Sequence, residues 1–139
     1  MNQIKVDAVV EQLTAVLEFV HQQFAEDTCS PRWLMQLDLA LEELFVNIAN
    51  YAYAPEKGTA TISAGMLPDA QTLEVTLIDS GTPYDPLARK DPNVNIPLQD
   101  RVPGGLGIFL AKKNTDTLQY AYRDGCNVLT LRKKLEGNA

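Results

Sequence analysis

Apolar residues recur at steps of three and four through Leu34–Tyr53, where Leu34, Leu37, Leu41, Leu44, Ile48 and Tyr51 draw one stripe. That period predicts an α-helix of about five turns with the stripe turned to a core. Ser30 suits its N-cap and Pro31 its first helical position, where a missing N–H costs nothing. Met35, Phe45, Val46 and Ala49 occupy much of the remaining surface, so burial on more than one side is expected. Into this setting fall Glu43, Asn47 and Asn50 along one ridge. Side chains four apart project side by side, and a carboxylate and an amide are costly to bury without partners. Such a ridge pairs internally, faces water or holds a ligand, and the helix alone does not choose.

Other periods place the remaining elements. Asn2–Val6 reads as a short edge strand. Val10, Leu13, Leu17, Val20 and Phe24 predict an amphipathic helix from an N-cap at Asp7 to about Ala25. His21 stands alone near its end, which suits a surface or interface residue without a catalytic role. Gly58–Met66 and Thr72–Asp79 read as strands joined by a tight turn at Leu67–Gln71, hence an antiparallel hairpin. A helix is expected from the glycines at 104–107 to about Asn114. Thr117–Arg123 and Asn127–Lys134 flank the hairpin signal Asp124-Gly125, and Glu136–Ala139 is expected to fray. Alternating strand and helix periods with few long connections predict a two-layer α/β (α+β) sandwich. Its mixed, mostly antiparallel sheet would be covered on one face by about three helices. At 139 residues without repeats, one domain spanning residues 1–139 is expected.

Composition narrows the function classes. The net charge of −6 speaks against unselective nucleic-acid binding. No apolar run approaches a membrane span and Met1–Glu11 lacks a signal-peptide pattern, which predicts a cytoplasmic protein without membrane contact. Cys29 and Cys126 have no metal-ligand spacing and read as reduced bystanders.

Three stretches carry candidate chemistry beside the helical ridge. Asp79-Ser80-Gly81 ends a strand, where a carboxylate can accept a hydrogen bond from an exocyclic amine and a glycine lets a flat ring approach. The same residues also make an ordinary turn. Five of the eight prolines fall between Pro83 and Pro103. That segment has little period of either kind, as expected of a lid over a site or of a disordered loop. Gly104-Gly105-Leu106-Gly107 opens a helix, where free N–H groups and a positive dipole end suit a phosphate; a flexible hinge is the other reading. It matches neither a Walker loop nor a dinucleotide fingerprint. Arg101, Lys112 and Lys113 flank it, either adding charge for a polyphosphate or simply solvated.

Taken together and in this order, the motifs resemble the N, G1 and G2 boxes of the histidine-kinase-like (GHKL, Bergerat-fold) ATPases. The likeness is greatest to the stand-alone anti-sigma-factor serine kinases. ELFVNIANYAY resembles their N-box region, DSGTPYDP their G1 region, GGLGIFLAKK their G2 helix and GCNVLTLRKK their last strand. The resemblance runs from about Trp33 to Lys134. It implies that Asn47 binds a Mg²⁺ bridging the phosphates of ATP and that Glu43 activates an attacking hydroxyl. It further implies that Asp79 reads adenine with Gly81 beside the ring, and that Gly104, Gly105 and Gly107 embrace the phosphates; Arg101 is the flanking charge expected to join them. Tyr51 stands where such kinases often carry histidine, and Cys126-Asn127 where many carry a threonine near the adenine. The implied partners are a STAS-type anti-sigma-factor antagonist as substrate and a sigma factor or other regulator as the sequestered protein; a homodimer is compatible. Two further readings are a nucleotide-gated binding module with little phosphoryl transfer and a detached histidine-kinase catalytic domain. His21-Gln22 supplies no phosphoacceptor context for the latter.

Overall fold

The computed structural model describes residues 1–54, 56–88 and 105–136. Five strands form one sheet in the order β1-β2-β3-β5-β4, with β1 Asn2–Asp7, β2 Thr59–Met66, β3 Thr72–Asp79, β4 Thr117–Arg123 and β5 Cys126–Lys134. All four pairings are antiparallel, so the parallel component expected of a mixed sheet is absent among the described residues. The β2–β3 and β4–β5 hairpins form as expected. At the second, Asp124 and Gly125 take the positive φ that a two-residue turn requires.

Strand alternation decides which face receives the helices. Ala60, Ile62 and Ala64 of β2, Leu73, Val75 and Leu77 of β3, and Leu129 and Leu131 of β5 are buried on one side. Against them pack α1 (Leu13–His21), α2 (Pro31–Tyr51) and α3 (Gly105–Lys113). The opposite face carries polar cross-strand pairs such as Thr76 with Thr130 and Glu74 with Arg132. Leu37, Leu41 and Leu44 of α2 are fully buried, each contributing about 1.5–3 kcal/mol by removal from water. The core is organised around this helix.

Helix α2 starts as its sequence predicts, with the Ser30 hydroxyl accepting from Trp33 N–H at 3.1 Å and Pro31 in the first turn. It ends two residues early. The Ala52 carbonyl takes Thr82 N–H, and the Tyr53 hydroxyl donates to the Thr59 carbonyl while accepting from Ser80 N–H. Those long-range bonds pull the chain out of the helix. Met35 and Tyr51, expected under cover, are 65% and 64% exposed. The first helix is also shorter than its apolar period. Asp7 stays in β1 opposite Thr59 rather than capping a helix, Ala8 N–H extends the ladder to the Gly58 carbonyl, and a 3-10 turn at Val10–Gln12 intervenes. At its far end Phe24 leaves the helix and packs edge-on against Trp33, with ring centroids 5.2 Å apart.

Candidate active site

Helix α2 leans one flank over the end of the sheet where β3 stops and β5 begins. Glu43, Asn47 and Tyr51 lie at successive four-residue steps along that flank. Glu43 and Asn47 are half-buried, whereas Asn50 and Glu42 are exposed, so the ridge that reaches the site is 43–47–51 and Asn50 turns away from it. Asp79, Asn127 and Tyr120 face the helix from the ends of β3 and β5 and from β4. Between them is a cavity with mixed polar and apolar walls, the kind of concave site in which small molecules bind. Leu44, Ile48, Ala52 and Leu129 give it apolar walls, Asn47 and Asp79 polar ones, and Tyr51, Tyr84 and Tyr120 aromatic ones. Thr82 and Pro86 close one side.

Asp79 is buried, with Oδ1 accepting from Asn127 Nδ2 at 2.9 Å and from Gly81 N–H at 3.0 Å. Those bonds hold the carboxylate in place at the cavity wall. Gly81 itself does not line the cavity. A Cβ at this position would stand 2.1 Å from the Ala52 carbonyl oxygen, so glycine is required here by the close approach of the end of α2.

At the other end of the ridge the Glu43 carboxylate lies against α3. A Cβ on Gly107 would meet Glu43 Oε2 at 2.2 Å, so glycine there keeps space for the carboxylate between the two helices. Burial and the neighbouring charge of Glu42 both raise the Glu43 pKa above the ordinary glutamate value. Among the described residues neither Glu43 nor Asn47 has a side-chain hydrogen bond to another residue. Their polar atoms are open to water, and Asn47 lines the cavity, so these oxygens are available to a ligand. A hard cation such as Mg²⁺ takes oxygen ligands with few from protein, which one amide oxygen satisfies. Gly105 opens α3 as anticipated, while Gly104, Arg101 and the lid segment beyond Ala88 lie outside the described residues.

His21 sits elsewhere, between Asp38 at 2.6 Å and Glu26 at 3.3 Å. Burial works against its charged form, but these carboxylates outweigh it and raise the pKa. It fastens the end of α1 to α2 and has no part in the cavity. Lys112 is described at the end of α3, and both cysteines are free thiols. The residue that sequence reasoning did not assign is Asn127, which bonds both to Asp79 and to the chain that follows it. An asparagine opening an otherwise apolar-alternating strand was the available signal.

The family model of the histidine kinase-like ATPase domain matches residues 6–133. A serine/threonine-protein kinase, BtrW of Bordetella bronchiseptica, is 30% identical over 118 residues, covering 85% of this chain and 82% of its own length. A serine-protein kinase, RsbW of Bacillus cereus, is 31% identical over 97 residues, which are 67% of this chain and 59% of the relative. Among solved structures, the RsbU and RsbW domains of Rv1364c from Mycobacterium tuberculosis superpose with a TM-score of 0.65 at 17% identity. That superposition covers all of this chain and 34% of the other. The likeness in structure extends the fold assignment; the relatives in sequence carry the kinase names.

Proposed function

The chain belongs to the histidine kinase-like ATPase domain family, and on that premise we propose that it is an ATP-dependent serine/threonine protein kinase of the anti-sigma-factor type. The observation that carries the reading is the unpaired Glu43–Asn47 ridge beside a pocket walled by Asp79. Asp79 accepts the exocyclic amine of adenine, with Tyr51 and Tyr84 flanking the mouth of the cavity. Asn47 would offer its amide oxygen to Mg²⁺, and Gly104, Gly105 and Gly107, with Arg101, would hold the phosphates. When bound, the cation neutralises the polyphosphate and favours phosphoryl transfer, a reaction governed by positioning and electrostatics. Glu43 orients a serine hydroxyl of the substrate and takes its proton, a task served by a carboxyl whose pKa lies above the usual range. Gly81 shapes the turn that keeps Asp79 in place.

The substrate in this reading is a STAS-type antagonist, and the sequestered partner a sigma factor or another effector, in the cytoplasm. No helix among the described residues is long and apolar enough to cross a membrane. Incubation of the protein with labelled ATP, Mg²⁺ and the antagonist encoded nearest to it tests the proposal. Label on a serine or threonine of the antagonist is expected. ATP binding with no label on the true partner would replace the kinase by a nucleotide-gated binding module, and absence of ATP binding would end both.

A further inference from the structure

Asn127 faces Asp79 across the β3–β5 ladder and is only 7% exposed. Its amide is fully used inside the protein. Nδ2 donates to Asp79 Oδ1 at 2.9 Å and to the Thr82 carbonyl at 3.0 Å. Oδ1 accepts from Tyr84 N–H at 3.1 Å and from the Tyr120 hydroxyl. A carboxamide has two N–H donors and an oxygen with two lone pairs, so all four capacities are taken. Flipping the amide would set its NH₂ against the Tyr84 N–H and its oxygen against the Asp79 carboxylate. The orientation is therefore fixed by its partners.

Those partners belong to separate pieces of chain: the last residue of β3, the loop at 82–84, and β4. The sheet does not need this connection, because its ladder is closed by backbone bonds. The buried neighbours on the same face of β5, Leu129 and Leu131, are apolar. A polar side chain in that row is costly unless every bond is made, and here every bond leads to the wall of one cavity. Asp79, Thr82 and Tyr84 all line the cavity, so a ligand within it touches both ends of the connection.

We propose that Asn127 is a positioning residue that couples the base-reading carboxylate of Asp79 to the stem of the following segment at Thr82–Tyr84. Fixing the base and fixing the stem are then one event. This rests on the nucleotide reading of the pocket and adds to it a route by which an occupied base site sets the start of the segment beyond it. Asn127→Ala removes both arms. Asn127→Asp keeps an acceptor for Tyr84 N–H but sets a second carboxylate against Asp79 and the Thr82 carbonyl. Asn127→Thr keeps a polar group too short to reach all four partners.

Two measurements on the full chain test it. The first is amide exchange at Tyr84 in nucleotide-free protein. The second is calorimetric affinity, with Mg²⁺, for ATP and for purine riboside triphosphate, which lacks the 6-amino group. Wild type is expected to prefer ATP by about tenfold or more, the effect of one buried hydrogen bond to a charged group. In Asn127→Ala, Tyr84 exchange should rise at least about tenfold. Protection in the middle of β3 and β5 should fall by no more than the loss of global stability, and the preference for ATP should fall toward one. In Asn127→Asp, Tyr84 should stay protected while the preference is lost, a separation that a merely structural residue would not give. If Asn127→Ala leaves either Tyr84 protection or the ATP preference at the wild-type level, the coupling is wrong; if that variant fails to fold, Asn127→Thr decides by the same criteria, and an Asn127→Asp protein that keeps the ATP preference overturns the coupling as well. A wild type without preference for ATP overturns the adenine-reading role of Asp79 instead, and Tyr84 exchange in empty protein then decides the tie to the stem alone.

Discussion

At the Asp79 end of the cavity the polar side chains are bonded to other parts of the chain: Asp79 to Asn127 and Gly81, and Asn127 to Thr82, Tyr84 and Tyr120. At the Glu43 end, one helical turn and more away along α2, the polar side chains have no such partners among the described residues, and the Glu43 carboxylate sits in a setting that disfavours its charge. The two ends differ in what they contribute before any ligand arrives. Satisfied buried networks rigidify their surroundings, so the base end is pre-organised and adds to folding stability. The half-buried Glu43 carboxylate beside Glu42 has its charged form disfavoured in the empty protein, while Asn47 keeps its polar atoms open to water. Selectivity is thus expected to reside where the fold is tightest, and chemistry where it is under-satisfied. Substitutions at the two ends should have opposite effects on the empty protein.

The largest effect tests the under-satisfied end. Glu43→Ala is expected to lower transfer to a serine of the partner by about 10²–10⁴, the usual contribution of a positioned base. ATP affinity should stay the same or improve slightly, because a negative charge near the triphosphate is lost. A single-turnover assay alongside calorimetry separates the two quantities. Transfer at the wild-type rate would make the carboxylate structural.

Next in size is the loss of metal-dependent affinity. Asn47→Ala should weaken Mg-ATP binding by about ten- to hundredfold, the cost of one hydrogen bond or ligand to a charged group, and bring it near the affinity measured in EDTA. Asp79→Asn should act at the other end, reducing selection of adenine over guanine while leaving the Mg²⁺ dependence in place. Equal wild-type affinity with and without EDTA would count against the assignment of Asn47.

Which of these features could be read from the sequence follows from how local their causes are. Ser30 and Pro31 announce the start of α2 because a cap is a contact over three residues. The turn at Leu67–Gln71 is equally local, with Asp69 accepting from Gln71 and Thr72 N–H groups. The glutamate and asparagine four apart carry their own geometry, and the glycine at 107 was legible as part of a helix-opening loop. What approaches it, Glu43 from a helix more than sixty residues earlier, was not. Asn127 was opaque for the same reason: its bond to Asp79 spans 48 residues and depends on the β3–β5 register. The end of α2, the delayed start of α1 and the exposure of Tyr51 are likewise set by tertiary bonds at Ala52, Tyr53 and Ala8. An apolar period does not register them.

A smaller effect concerns pH. Because Glu43 must be ionised to accept a proton, its raised pKa places the acid limb of transfer above the ordinary glutamate range. Burial is the larger cause and the charge of Glu42 the lesser. Glu42→Gln should therefore move the limb to lower pH while leaving the rate at neutral pH nearly unchanged. An unmoved limb in a transfer-rate profile would show that the Glu42 charge does not reach Glu43.

The smallest effect is on stability, and its sign is the test. A carboxyl whose folded pKa is raised binds its proton more tightly folded than unfolded. Stability from Glu43 is thus greatest below the unfolded value of about 4.3 and is lost as pH rises through the folded value. At neutral pH the ionised side chain costs stability in the metal-free, nucleotide-free protein. Glu43→Gln should raise the neutral-pH Tm, on the order of one to three degrees, and the gain should vanish toward pH 4. Asn127→Ala at the satisfied end should lower it at every pH. His21 titrates with the same sign in a higher window: its contribution is present below about pH 6.5 and lost as pH rises through its raised value. That decline should appear unchanged in both Glu43 and Asn127 variants and flatten only in His21→Asn, because His21 is paired with Asp38 and Glu26, neither of which lines the cavity. Melting curves across pH for the three single variants separate these windows. A Glu43→Gln protein no more stable than wild type at neutral pH would mean that its carboxylate is already satisfied in the empty protein, and the contrast between the two ends would fail.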